Sequence, residues 1–354
     1  MRSERSTHIV AGAVLWALLC VFPPVASAVP TLWGVDEDDG QLFSIGDYTD
    51  PVATFTDYGK LQWNDNGTLR DVGPFGEAFT LDGTMAYLTR NHSDLGPFGV
   101  PVFMRFDVAT AVPGGPNVVT VVGTMPGITF NSIRDNISGF AIQPGTGTLF
   151  ALFRDDTDAI VDHLLTVDKA TGAVLTDHLM TGLGHQVGSG EDIVFDTAGR
   201  LFVTDDVDDH LYQVDPATGA IIAVLNDDEK RGLGISSAKV EGLAWDFENN
   251  RLIATDDDHN LIVQLSLTNG NGVTYGQVSA LTDVEGIAFV PAAVTTSTTT
   301  STSTTSSVPI TNPGGVTTTT TTSSTIVVCV PTGPEAGHCN DMIDNDCDHK
   351  IDCT

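Results

Sequence analysis

Residues 190–225 read Gly190-Glu191-Asp192-Ile193-Val194-Phe195-Asp196, then Gly199-Arg200-Leu201-Phe202-Val203-Thr204-Asp205-Asp206, then His210-Leu211-Tyr212-Gln213-Val214-Asp215-Pro216-Ala217-Thr218-Gly219, then Ala220 to Leu225. Apolar residues recur with period two or in short blocks, and Asp, Gly, Pro and Thr separate the runs. That pattern predicts four short strands joined by tight turns. The unit returns about fifty residues on as Val240-Glu241-Gly242-Leu243-Ala244-Trp245-Asp246, then Asn250-Arg251-Leu252-Ile253-Ala254-Thr255-Asp256-Asp257-Asp258, then Leu261 to Leu265. Earlier copies are Phe75-Gly76-Glu77-Ala78-Phe79 with Gly83 to Leu88, and Ile137-Ser138-Gly139-Phe140-Ala141-Ile142 with Thr148 to Leu152.

Four-stranded units with apolar faces cannot persist singly; arranged radially they cover one another, which is the propeller solution. The ends of the repeat region agree. It opens in mid-unit, with Thr31-Leu32-Trp33-Gly34-Val35-Asp36 like a second strand, Gln41 to Ile45 like a third and Val52 to Thr56 like a fourth. It closes with Val284-Glu285-Gly286-Ile287-Ala288-Phe289-Val290, a first strand with no successor. The last strand is therefore expected to complete the blade begun at the amino end. First strands start near residues 77, 138, 191, 241 and 285, which gives five blades, and the wide interval from 77 to 138 leaves room for a sixth. The expected class is all-β.

The Glu-Gly-(Ile/Leu)-Ala-(Phe/Trp) strand, followed by Leu-(Phe/Ile)-(Val/Ala)-Thr-Asp and Val-Asp-(Pro)-Ala-Thr-Gly, resembles the YncE-like and strictosidine-synthase-like secreted β-propellers. The resemblance covers most of residues 29–291 and implies a fold; it does not by itself assign an activity.

Composition bounds the rest. The 354 residues carry 15 Lys and Arg against 46 Asp and Glu, a formal charge of −31. Such an excess repels phosphate backbones and anionic lipid, so nucleic acid is not an expected partner and cations are. Arg2 and Arg5, the apolar run Ile9 to Phe22, Pro23-Pro24 and Ala26-Ser27-Ala28 follow the plan of a secretory signal spanning residues 1–28. The apolar run is shorter than the roughly 20 residues that cross a bilayer, so no membrane insertion is expected after cleavage. The expected location is secreted or cell surface.

Residues 29–294 form the predicted propeller and contain no cysteine. In residues 295–325, 23 of 31 are Ser or Thr, a composition that cannot bury a core; a linker is expected over 295–328, spanning about 30 Å as a coil. The tail, 329–354, holds Cys329, Cys339, Cys347 and Cys353, and four cysteines allow three pairings.

Two places invite chemistry. On the propeller, acids gather after each second strand: Asp36-Glu37-Asp38-Asp39, Asp155-Asp156, Asp205-Asp206 with Asp208-Asp209, and Asp256-Asp257-Asp258. In a propeller that hairpin shares a face with the entry to the first strand, where Glu77, Glu191, Glu241 and Glu285 stand. These carboxylates, with Asp205 and Asp256, could converge on a divalent cation at the channel mouth, or the aspartates could simply be turn formers bonding their own backbone. His163, His210 and His259 occupy the same hairpin region, as a metal or acid–base ring or as solvated strand openers. No Gly-x-Ser-x-Gly elbow, zinc-helix pair or phosphate-cradling loop occurs, and no nucleophile stands out.

The sharper motif is Cys339-Asn340-Asp341-Met342-Ile343-Asp344-Asn345-Asp346-Cys347-Asp348-His349-Lys350-Ile351-Asp352-Cys353. Alternate carboxylates in a tight loop can turn onto one cation, as in the first positions of an EF-hand loop, and paired cysteines would preform the turn. The stretch resembles the Asp/Cys-rich metal-binding motif modules of secreted bacterial proteins, Cys-x-Asp-Gly-Ile-Asp-Asn-Asp-Cys-Asp-Gly-Leu-Ile-Asp. It departs from them at Met342 and His349, where those modules have Gly. The resemblance implies Asp344, Asp346, Asp348 and Asp352 as ligands, for Ca²⁺ or another divalent cation; the alternative is a disulfide-stapled acidic cap. The sequence therefore favours a non-catalytic binding or surface protein with an unidentified protein or glycan ligand. A Ca²⁺-dependent propeller hydrolase, lactonase or lyase working at the channel mouth is the alternative.

Overall fold

The computed structural model describes residues 30–36, 40–50, 55–72, 78–90, 100–128, 135–155, 161–206, 210–226, 239–256, 258–268, 272–277 and 284–290. The segments expected to be signal, linker and tail lie outside them, as do Glu77, Asp344, Asp346, Asp348 and Asp352.

The described residues build a five-bladed β-propeller. Blade 1 takes β1 (Leu32–Asp36), β2 (Gln41–Ile45) and β3 (Phe55–Asp65), with the short β4 (Thr68–Asp71) against β3. Blade 2 is β5 (Phe79–Asp82), β6 (Met85–Arg90), β7 (Val102–Asp107) and β8 (Asn117–Thr124). Blade 3 is β9 (Asn136–Ile142), β10 (Leu149–Arg154), β11 (His163–Val167) and β12 (Val174–Leu179), trailed by the hairpin β13 (Thr181–Gly182) and β14 (His185–Gln186). Blade 4 is β15 (Gly190–Phe195), β16 (Leu201–Asp205), β17 (His210–Val214) and β18 (Ile221–Asn226). Blade 5 is β19 (Val240–Asp246), β20 (Arg251–Asp256), β21 (Leu261–Leu265) and β22 (Val273–Gln277). The last strand, β23 (Val284–Phe289), returns to blade 1 as its innermost member.

That return is the seam of the ring. β23 pairs antiparallel with β1, setting Leu32 opposite Phe289, Trp33 opposite Ala288 and Gly34 opposite Ile287. Glycine is required at the seam, because a Cβ on Gly34 would stand 2.9 Å from the Gly286 carbonyl oxygen and collide with the Phe43 ring. The innermost strands β23, β5, β9, β15 and β19 then touch in cyclic order, which closes the ring around a central channel.

Between successive blades lies one apolar cluster each, so the core is divided into five wedges rather than one mass. Alternation along the inner strands explains the division. In β15, Ile193 and Phe195 pack toward blade 3 while Val194 packs toward blade 5. The matching in-between residues of β9, β19 and β23 are Ala141, Ala244 and Ala288, small enough for sheets that converge on an axis. Blades 5 and 1 are further joined by the fully buried Tyr48, whose hydroxyl donates to Asp246.

The Asp-x-Ala-Thr-Gly stretches form the turns between third and fourth strands. Asp168 accepts from the Ala170 amide at 2.8 Å and the Thr171 hydroxyl at 2.8 Å; Asp215 accepts from Ala217 and Thr218 at 3.0 and 2.9 Å. Each turn ends on a glycine with positive φ, and a Cβ on Gly219 would also lie 2.8 Å from the Leu179 carbonyl of blade 3. The turn is thus a docking element as well as a reversal.

Two features depart from the sequence expectation. The fourth strand of blade 1, expected at Val52 to Thr56, runs instead from Phe55 to Asp65 and reverses at Asn66-Gly67, both at positive φ. Its outer half pairs in parallel with β8, Leu61 opposite Asn117 and Trp63 opposite Val119, which fuses blades 1 and 2 into one nine-stranded sheet. Buried Asn117 fastens the junction, donating to the Tyr58 carbonyl at 2.6 Å and accepting from the Val112 amide at 2.9 Å. The 77–138 interval holds one blade, with no sixth among the described residues.

Candidate functional sites at the two ends of the channel

Every first strand enters the channel from one face and every second strand ends there. Five blades therefore present their second-strand ends as a ring: Asp36, Arg90, Arg154, Asp205 and Asp256. Three acids occupy consecutive blades 4, 5 and 1, and two arginines occupy blades 2 and 3. All but Arg154 are buried.

The described carboxylates of this face have partners. Asp205 accepts from the amides of Gly188 and Ser189 at 2.7 and 3.2 Å. Asp256 accepts from the Lys239 amide at 3.2 Å and pairs with His259 Nδ1 at 2.9 Å. Both therefore tie the segment entering the first strand to the end of the second. Glu191 receives Arg154 of the preceding blade at 3.0 and 3.2 Å, and Glu241 pairs with Lys239. Glu285 lies in β23, but its side chain, like Glu77, falls outside the described residues. So do Glu37 to Asp39, Asp156, Asp208, Asp209 and Asp257. His163 Nδ1 lies 2.7 Å from Asp177 in its own blade, whereas the His210 ring stacks on Tyr212 and also packs against His185 of the β13–β14 hairpin, with ring centroids 5.4 Å apart. Among the described residues no group of three or more His, Cys, Asp or Glu side chains is arranged to hold a metal ion.

Burial dominates the electrostatics. Asp162, just before β11, is fully buried and its carboxyl is pushed up to about 8 by desolvation. Amide donation from Gly190 and Asp155 and the Arg154 guanidinium oppose that rise, and Asp205 adds to it. Burial also raises Glu191, against the pull of Arg154 and Lys239, and raises Asp256, against the Lys239 amide and His259. Asp192 is raised well above the usual range by complete burial. It stands where blades 3, 5 and 1 carry Gly139, Gly242 and Gly286 and blade 2 carries Ala78. Its carboxylate spans two blades, accepting from its neighbour Ile193 at 2.7 Å and from Leu243 of blade 5 at 2.7 Å. On its other side the backbone of Gly139 approaches so closely that a Cβ there would stand 2.9 Å from Asp192 Cα.

Asp162, Asp192, Arg154 and Lys239 were not singled out by sequence reasoning. Asp192 had a legible signal, an acid in the glycine column of the repeat. Asp162 had none, since nothing local announces its burial.

At the opposite end of the channel, where the inner strands finish, lies a cavity of about 640 Å³. All five inner strands line it, through residues that include Leu81, Ala141, Val194, Ala244 and Ala288. Phe247 and the turn Gln143 to Gly147 complete its rim. The wall is mainly apolar. Its charged member, Asp82, is held by Lys169 at 2.6 Å, and Gln143 accepts from the Thr146 hydroxyl at 2.9 Å. The sequence reading places chemistry at the acidic face and in the tail, and does not anticipate this cavity.

No known family model matches the chain, and none of the curated proteins matches it. Among solved structures, a chain of the nidogen/laminin complex is similar at 13% identity and TM-score 0.40, over 74% of this chain and 98% of that one. Glutaminyl cyclase of Myxococcus xanthus is similar at 12% identity and TM-score 0.36, over 64% and 89%. The Dos1 propeller is similar at 9% identity and TM-score 0.32, over 68% and 56%.

Proposed function

We infer that the chain is an exported, non-catalytic binding or surface protein of the YncE-like or strictosidine-synthase-like kind. Its propeller head presents loops to a protein or glycan, and its Asp/Cys-rich tail binds a divalent cation, Ca²⁺ first, through Asp344, Asp346, Asp348 and Asp352. The observation that supports this reading is the way the described acids of the channel mouth are engaged. Asp205 and Asp256 accept backbone amides, and Glu191 and Glu241 are paired with Arg154 and Lys239. A carboxylate already holding an amide or a cationic side chain must give it up to ligate Ca²⁺, so the channel mouth is a poor donor set and the Asp ladder spelled by the tail sequence is preferred.

The test is calorimetric titration of chains ending at Val294 and at Thr354 with Ca²⁺, Mg²⁺, Zn²⁺ and Cu²⁺. Heat from Ca²⁺ confined to the longer chain, and abolished by Asp344→Asn with Asp348→Asn, is expected. Equal heats from both chains would move the cation to the propeller.

One observation favours the alternative of a Ca²⁺-dependent hydrolase, lactonase or lyase. Raised carboxyls concentrate near one channel mouth, and perturbed acids of this kind also mark acid–base sites. Turnover of aryl-ester or lactone substrates that is lost in Asp162→Asn would support that reading over the first.

A further inference from the structure

We propose that the cavity at the far end of the channel is a binding site for a neutral, flat, largely apolar small molecule carrying a hydrogen-bond acceptor. The inference is independent of cation binding by the tail.

Its size falls inside the roughly 300–1,000 Å³ of small-molecule sites. Its wall is set by the ring itself: each inner strand contributes two or more residues, so the site is built on paired strands of all five blades rather than on a single loop. Phe140, Phe195, Trp245 and Phe289, each anchored in an apolar wedge between two blades, are among the residues that line the space, with Phe247 at the rim. Such walls suit a planar apolar body.

The polar groups fix the remaining chemistry. Asp82 is compensated by Lys169, and Gln143 is bonded to Thr146, so the lining offers no uncompensated charge to an ionic ligand. Trp245 differs. It is 3% exposed, yet its indole N–H has no acceptor among the described residues. A buried donor left unpaired is unusual and costly, and an acceptor atom on a bound molecule would satisfy it. Water is a poor substitute, because it needs two to four polar partners and this wall supplies few.

The experiment uses the full chain and the neutral probe 6-propionyl-2-(dimethylamino)naphthalene, which has a ketone acceptor and brightens and shifts to the blue in apolar surroundings. Saturable binding at one site per chain is expected. Thr146→Trp places a large ring at the exposed rim without disturbing the core and should weaken binding at least tenfold. Trp245→Phe should weaken the ketone about threefold to tenfold, the worth of one hydrogen bond, and leave the acceptor-free 2-(dimethylamino)naphthalene nearly unaffected. Circular dichroism and melting curves establish that each variant keeps the fold. Non-saturating fluorescence, or affinity unchanged by Thr146→Trp, would overturn the proposal. Loss of binding in Leu179→Gln would equally overturn it, placing the probe instead on the exposed Leu175 and Leu179 at the outer edge of blade 3.

Discussion

Replacing Asp162 by Asn should flatten the dependence of stability on pH. The carboxyl titrates near 8 in the folded chain and near its ordinary 3.8 when unfolded, so between those limits the native state holds a proton that the unfolded state has released. Stability contributed by that proton is complete below pH 4 and is lost as pH rises through 8. Linkage gives a slope of up to about 1.4 kcal/mol per pH unit, and integration from pH 5.5 to 7.5 gives a loss of about 2.5 kcal/mol. Asparagine is nearly isosteric, keeps one oxygen to accept from Gly190 and carries no titrating proton. It turns its amide toward the Asp155 N–H, at a pH-independent cost of about 1 kcal/mol. The assay is urea unfolding of wild type and variant at half-unit steps from pH 4.5 to 8.5. The stability difference should move in favour of the variant by about 2.5 kcal/mol over the stated window. Glu191, Asp192 and Asp256 remain in both chains, so subtraction cancels their contributions. Parallel curves would refute the burial argument for Asp162.

Ile287→Ala empties a buried position in the closing strand and should cost about 2–5 kcal/mol, as Leu243→Ala should in β19; a markedly smaller loss at Ile287 in denaturant titration would mean that the seam carries little of the stability. Arg154→Met leaves Glu191 buried opposite an apolar side chain and should destabilise by about 3–5 kcal/mol, whereas adding Glu191→Met should recover most of it; a double-mutant cycle with no coupling would contradict the ion pair. Gly219→Ala combines a strained φ with a Cβ pressed on the Leu179 carbonyl and should cost about 1–3 kcal/mol in thermal melts, while Gly199→Ala, with a similar φ but open space, should cost less.

The ring was legible because the repeat is cut at both ends. Thr31 to Asp36 reads as a second strand with no first, Val284 to Val290 as a first with no second, and the register of Trp33 with Ala288 joins those halves. The parallel clasp of β3 on β8 was not legible, since Lys60-Leu61-Gln62-Trp63 alternates in a way that suits pairing with any edge. At the channel mouth, position was readable from the repeat but environment was not. Asp205 and Asp256 could be assigned to strand ends, yet which amides they accept depends on the neighbouring connection. The burial of Asp162 depends on the β13–β14 hairpin, whose Val187 carbonyl accepts the Asp162 amide. The cavity was hidden because alanines at Ala141, Ala244 and Ala288 look like ordinary strand filler until five of these strands are set round an axis.

The seam has a bearing on the order of synthesis. Trp33 waits for a partner made more than 250 residues later, so blade 1 stays open along one edge until the ribosome has passed Phe289. Contacts so distant along the chain form late and slowly. A polypeptide interrupted before Val284 would keep four blades' worth of repeats yet leave β1 with bare amides and the apolar faces of Leu32 and Phe43 uncovered, a ready target for quality-control proteases. The architecture thereby distinguishes finished molecules from truncated ones.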